Sequence, residues 1–255
     1  MRTFSHPGYK RFLLSVGCLL SIHFTALFFL TLFRLVFFFS ANYDFPDQEH
    51  VGFMSIWPAF IRGVWFDNVI ACYILLIPLV AVSISALFNY YGKILWNVTC
   101  IFFSLFYGIV LLVTAANIPY FQYFFKIINS SVFNWFGYMN TTAGMVFGET
   151  SYYPPLIGFL LTLVLFIWLM RRLIRHFQRL LNTKNPSVFW LDRIYIFLTA
   201  GICIGLCLFG IRGRTGYNPI KVSAAYYCTD PFLNQLGISP VFNLLSSTLD
   251  DSRKE

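Results

Sequence analysis

Charge is what this sequence has least of. Only 11% of its 255 residues are Asp, Glu, Lys or Arg, against 58% hydrophobic and 20% aromatic residues. That balance excludes a soluble domain, which needs about a quarter of its residues charged. Cysteine is sparse and badly placed for crosslinking. Five of the six cysteines (Cys18, Cys72, Cys100, Cys203, Cys207) fall inside apolar runs and only Cys228 lies outside them, so no intrachain disulfide framework is implied. Cys203 and Cys207 share a helix face but have no His or acid beside them to complete a metal pair. The first apolar run is too long for the core of a cleavable signal peptide, so it is expected to be a retained anchor.

What the chain has instead is apolar length. Five runs approach the roughly 20 residues needed to cross a ~30 Å hydrocarbon layer. They lie at about 12–39, 69–88, 94–118, 155–170 and 194–211. The fold class is therefore an all-α polytopic membrane protein: five transmembrane helices, interfacial helices, and an extracytoplasmic C-terminal tail. Residues 1–211 form the membrane domain and 212–255 a linker. The net charge of +8 belongs to loops facing anionic headgroups and implies no nucleic-acid partner.

The basic residues fix the expected orientation. An inside N-terminus places Arg2, Lys10, Arg11, Lys93, Arg171, Arg172, Arg175, Arg179, Lys184 and Arg193 in the cytoplasm with a single acid, Asp192. Nine of the ten acids then lie outside, as does the C-terminus. Arg34 falls near the outer interface, where it is expected to snorkel towards headgroups. His23 in span one reads as a core histidine packed on a neighbouring helix.

The exterior links are unusual. Residues 40–67 carry Asp44, Asp47, Glu49 and His50, read as a solvated acidic loop. They then turn aromatic in IWPAFIRGVWF, which suits a short interfacial helix before span two. Residues 119–153 are too aromatic for a free loop and suit an outer-leaflet platform, with Lys126 and Glu149 as its charges. On the inner side, MRRLIRHFQRLL continues span four as a basic amphipathic helix. Gly201-x-x-x-Gly205 in span five permits close approach of another helix. After span five come Arg212, Arg214 and Lys221 at headgroup level, then extended chain, then a helical piece interrupted at Gly237–Pro240.

The tail RGRTGYNPIKVSAAYYCTDPFLNQLGISPVFNLL resembles the membrane-exit segment of the lipoteichoic acid synthase family. The matching elements are Arg212-Gly213, Pro219-Ile220, Ala224-Ala225, Asn234-Gln235-Leu236 and Pro240-x-Phe242. Gly63-x-x-Phe66-Asp67, at the start of span two, is similar to a second signature of that family. The resemblance implies the membrane-anchoring and lipid-presenting part of a phosphoglycerol or phosphoethanolamine transferase, or of a sulfatase-like relative, in a bacterial cytoplasmic membrane. In that family the spans lead to an extracytoplasmic alkaline-phosphatase-like domain with a Thr nucleophile and a divalent metal (Mn, Mg or Zn). This chain supplies no Thr within a cluster of Asp, Glu and His, so no catalytic and no metal-ligating residue is assigned, and no cofactor belongs to the chain itself. The sequence stops at Glu255, where that domain's first strand is expected; a truncated form or one piece of a split gene, inactive alone, is the expectation. The implied partners are membrane phospholipids and the catalytic domain, in cis or as a separate chain. Candidate headgroup contacts are Arg62, Asp67, Glu149, Arg212, Arg214 and Lys221. The alternative is a non-enzymatic membrane subunit or a small transporter.

Overall fold

The structure, a computed structural model, describes residues 6–41, 53–138, 150–181 and 190–253 together with Gly144 and Gly148. Its long helices are α1 (Pro7–Ser40), α2 (Phe53–Leu87), α3 (Lys93–Phe124), α4 (Tyr153–Leu181) and α5 (Trp190–Arg212). The shortest, α5, has 23 residues and reaches ~35 Å, enough for a hydrocarbon layer. All five are apolar enough to span, and no strand occurs among the described residues. The chain is an all-α polytopic membrane protein.

Backbone groups in a membrane must be satisfied within the helix, and side-chain hydroxyls follow the same rule. Ser15, Ser21, Thr25 and Thr31 in α1, Ser83 in α2, and Ser104 and Thr114 in α3 each donate to the carbonyl four residues back. These polar side chains therefore cost the apolar interior little.

One boundary differs from expectation in an informative way. The aromatic stretch at 56–66 is not a separate interfacial helix: it is the first third of α2, which runs unbroken through Pro58 and Pro78. Each proline removes one backbone N–H, but packing on α1 and α5 holds the helix together across both sites. Likewise α3 passes Pro119 and ends at Phe124, capped by Phe125, whose φ of 52° is left-handed.

Helix α1 sits at the centre and touches all four other spans, while α2 packs on α5 and α3 on α4. The core is aromatic: Phe166 of α4 meets Phe29 of α1 edge-on at 6.1 Å and Tyr107 of α3 at 5.3 Å. Leu161 and Val164 on α4, and Phe197, Ile202 and Leu206 on α5, turn outward as a lipid-facing surface.

The bundle has two distinct ends. One carries the start of α1, the turn at 88–92, the end of α4 and the start of α5. The other, the tail end, carries the start of α2, the ends of α1, α3 and α5, and the described residues from Gly213 onward. There the tail forms a 3-10 turn (Val222–Ala225) and helices α6 (Pro231–Leu236) and α7 (Pro240–Asp251). These fold back onto the bundle: Phe232 packs against Phe37, Phe38 and Phe121, and Phe242 lies 4.8 Å from Phe66.

Candidate functional site at the tail end

An ion pair inside the bundle holds this end together. Arg34 of α1 donates from Nη1 to Asp67 Oδ2 of α2 at 2.8 Å, and both side chains are under 5% exposed. Arg34 Nε also donates to the carbonyl of Leu236 in α6 at 3.0 Å. The guanidinium lies against Gly63, where a Cβ would meet it at 2.1 Å. Gly63 is therefore a glycine because Arg34 occupies the space a side chain would take.

This corrects two expectations. Arg34 does not reach headgroups; it turns inward to a partner. Asp67 faces Arg34 in the core and presents nothing to a lipid.

The tail residues that carried the resemblance are the latches of this arrangement. Asn234 Oδ1 accepts from the backbone N–H of Tyr227 (2.9 Å) and Cys228 (3.3 Å), and its Nδ2 donates to Cys228 O (2.7 Å). Gln235 Oε1 accepts from Ile127 N–H at 3.1 Å, beside α3. Leu236 supplies the carbonyl for Arg34. Ile220 and Ala225 are buried in a small cluster with Phe66 and Val69. Asn117, buried in α3, accepts from Ile128 N–H at 3.0 Å, fixing the chain that Gln235 grips.

The remaining candidates form the rim. Arg62 is half-buried: its Nε donates to Ala224 O at 3.2 Å and its guanidinium stacks 4.6 Å over the Tyr227 ring. Tyr227 in turn donates to Ser55 O at 2.6 Å, and burial pushes its hydroxyl well above the usual tyrosine range. Arg212 donates to the carbonyls of Gly216 (2.7 Å) and Tyr217 (2.6 Å), and Arg214 to that of Asn218 (2.6 Å). The loop closes when Ile220 N–H bonds Arg212 O at 3.0 Å, bringing Lys221 back beside Arg212. Gly213 permits the turn with φ of +72°. No carboxylate among the described residues pairs with Arg62, Arg212, Arg214 or Lys221. Glu149 and the Asp47/Glu49/His50 grouping lie outside the described residues, and no cluster of metal-binding side chains occurs among those described.

Beneath the rim lies a cavity that sequence reading missed. About 390 Å³ in volume, it sits between α1, α2 and α5, and its walls run from Leu20 and His23 past Cys72 to Trp65 and Gly213. Its surface is almost wholly apolar. Its polar lining includes His23 and Asn68, joined by a 3.0 Å bond between His23 Nε2 and Asn68 Oδ1. Phe24, Leu206 and Phe209 are exposed at its mouth, so it opens sideways, towards lipid. Close approach of α2 and α5 here depends on Gly210, where a Cβ would fall 2.5 Å from Cys72 Sγ. The Gly201-x-x-x-Gly205 pair meets nothing within 4 Å and remains an open outer face. The periodicity that flagged Gly201 and Gly205 could not say which glycine met a neighbour.

Comparison with family models, curated proteins and solved structures finds no match to this chain.

Proposed function

We propose that this chain is the membrane-embedded, phospholipid-presenting part of a lipoteichoic-acid-synthase-like phospho-alcohol transferase or sulfatase-like enzyme. On this reading it works at the outer face of a bacterial cytoplasmic membrane, with its N-terminus in the cytoplasm. The chemistry would reside in an alkaline-phosphatase-like domain, in cis or as a separate chain, which would also hold the divalent metal.

One observation carries the reading. The laterally open apolar cavity rises to Gly213 and Trp65, and the residues on either side of Gly213 are Arg212 and Arg214, cations without an acidic partner among the described residues. An acyl chain suits the slot, and a phosphodiester suits the rim. Trp65 ties the two together by donating its indole N–H to Gly213 O. A glycerol- or ethanolamine-phosphate headgroup held there stands in the outer leaflet, open to a catalytic domain above it. Buried Asp67 has no part in that contact; its role is to hold Arg34 and, through Leu236, the tail.

The test is lipid retention. The chain in nanodiscs containing phosphatidylglycerol is expected to keep that lipid through delipidation, read by native mass spectrometry. The doubly charge-reversed variant Arg212→Glu/Arg214→Glu is expected to lose at least about tenfold in retention, since each cation near a surface contributes roughly 1 kcal/mol. Unchanged retention would refute the headgroup role and leave an anchor or subunit without lipid specificity.

A further inference from the structure

The cavity between α1, α2 and α5 holds a polar pair that neither an apolar slot nor a cationic rim explains. His23 and Asn68, bonded at 3.0 Å, both line its wall. Two helices give the depth of Asn68. On α2 it lies three residues beyond Trp65, ~4.5 Å deeper at ~1.5 Å per residue, and Trp65 bonds Gly213 at the rim. On α5, Gly210 lies the same three residues below Gly213, and a Cβ added to it would sit 3.6 Å from Asn68 Nδ2. Asn68 therefore stands about one helical turn below the level of Arg212 and Arg214. Deeper still, the wall continues as Leu75, Leu79 and Leu206.

The bonds of the pair leave a donor over. The Asn68 carbonyl oxygen is occupied by His23, and the His23 ring also bonds the backbone of Ala71, so the amide is held in one orientation. A primary amide carries two N–H groups. The Cys72 sulfur faces one of them and is a weak acceptor. No oxygen among the described residues accepts from Nδ2. Asn68 is only half-buried, and Gly210, the residue opposite Nδ2, lines the same cavity. Because Gly210 has no side chain, the space in front of the amide stays open. An N–H facing hydrocarbon is costly until an oxygen accepts from it.

An ester-linked phospholipid brings such an oxygen to that height. With its phosphate at Arg212 and Arg214, the path from phosphorus through glycerol to an ester carbonyl is about as long as one helical turn, ~5.4 Å. An ester carbonyl accepts and cannot donate, which suits an amide N–H and would not suit a carboxylate in its place. An ether-linked lipid or a polyprenyl phosphate has no carbonyl at that depth. We infer that Asn68 is a specificity-determining residue: it donates from Nδ2 to an acyl ester carbonyl of the bound phospholipid, while His23 and the Ala71 backbone hold the amide in position. The acyl chain beyond that ester then runs along Leu75, Leu79 and Leu206. This role rests on the reading of the rim as a headgroup site, and it adds what the rim cannot supply, discrimination by linkage.

The test uses two lipids that differ only in linkage: diacyl phosphatidylglycerol and its dialkyl ether analogue with matched chains. Both are supplied in equal amounts in nanodiscs carrying the full chain, and retention through delipidation is read by native mass spectrometry. The wild type is expected to keep the ester lipid about fivefold better than the ether, the value of one hydrogen bond. Asn68→Leu removes the donor at similar volume and is expected to bring that ratio to within about twofold of unity, with the ether lipid retained as in the wild type. Because Asn68→Leu leaves His23 without its partner, the double variant His23→Phe/Asn68→Leu removes both polar groups together and is expected to lose the preference equally. A purely structural pair would lower the melting temperature of these variants and leave the ratio where it was. Arg212→Glu/Arg214→Glu should reduce retention of both lipids alike. A wild-type ratio near unity, or a preference that survives in both Asn68 variants, would overturn the role of Asn68 and leave the headgroup reading standing on its arginine dependence. Retention of neither lipid by the wild type would refute the headgroup reading and the role of Asn68 with it.

Discussion

Arg34 concentrates the physics of this protein in one side chain. A guanidinium in an apolar bundle is stable only when its charge and its N–H groups are answered, and Asp67 and Leu236 O answer them. Asp67→Ala leaves that cation buried and unpaired, so a loss of roughly 3–5 kcal/mol is expected; the measurement is the thermal unfolding of the purified chain in detergent. Gly63→Ala drives a methyl into the pinned guanidinium and should cost about 1–3 kcal/mol by overpacking. The double variant Arg34→Met/Asp67→Leu, which removes both charges and keeps their volume, is expected to regain most of the Asp67→Ala loss. If the double variant is no better than Asp67→Ala, the pair is not the reason these residues are buried. Gly63, Phe66 and Asp67 were legible in the sequence as a motif. Their purpose was not, because the partner Arg34 lies 33 residues away on another helix and nothing in the motif points to it.

At the level of elements, the tail is the part whose character changes most. Its sequence reads as a linker, with glycines, prolines and an extended stretch, but its short helices are docked on the ends of α1, α2 and α3. Asn234 governs that docking by satisfying two backbone N–H groups and one carbonyl of the 227–228 turn. Asn234→Ala should free the turn and undock residues 213–238 locally, at a cost of about 2–3 kcal/mol. The expected reading is faster tryptic cleavage after Arg212, Arg214 and Lys221, with the melting of the five-helix bundle nearly unchanged. Cleavage at the wild-type rate would mean that aromatic packing by Phe232 and Phe242, not the Asn234 bonds, fixes the tail. The interruption at Gly237 was readable from Gly and Pro; that the two resulting helices fold back was not, since docking depends on the surface they meet.

For the whole molecule, the distribution of charge predicts its orientation. Of the basic residues assigned to the cytoplasm, Lys10, Arg11, Lys93, Arg171, Arg172, Arg175, Arg179 and Arg193 lie at or near one end of the bundle, and the positive-inside rule expects that end in the cytoplasm. Single cysteines introduced by Lys10→Cys and Tyr217→Cys into a chain whose native cysteines are replaced would decide it. Tyr217 is 95% exposed and should react with a membrane-impermeant maleimide on intact cells, whereas the Lys10 position should react only after lysis. The reverse pattern would place the rim of Arg212 and Arg214 in the cytoplasm and remove the basis for an outer-leaflet substrate.

The five apolar runs, the scarcity of charge and the basic bias of one set of loops were determined by the sequence alone, because crossing a bilayer needs only length and apolarity within a single segment. The helical continuity through Pro58, Pro78 and Pro119, the inward turn of Arg34 and Asp67, and the cavity between α1, α2 and α5 were decided by tertiary structure. Each depends on residues from two or three helices meeting at a given height. A residue's place in the chain does not fix what stands opposite it: Gly201 and Gly205 meet open space while Gly210 meets Cys72.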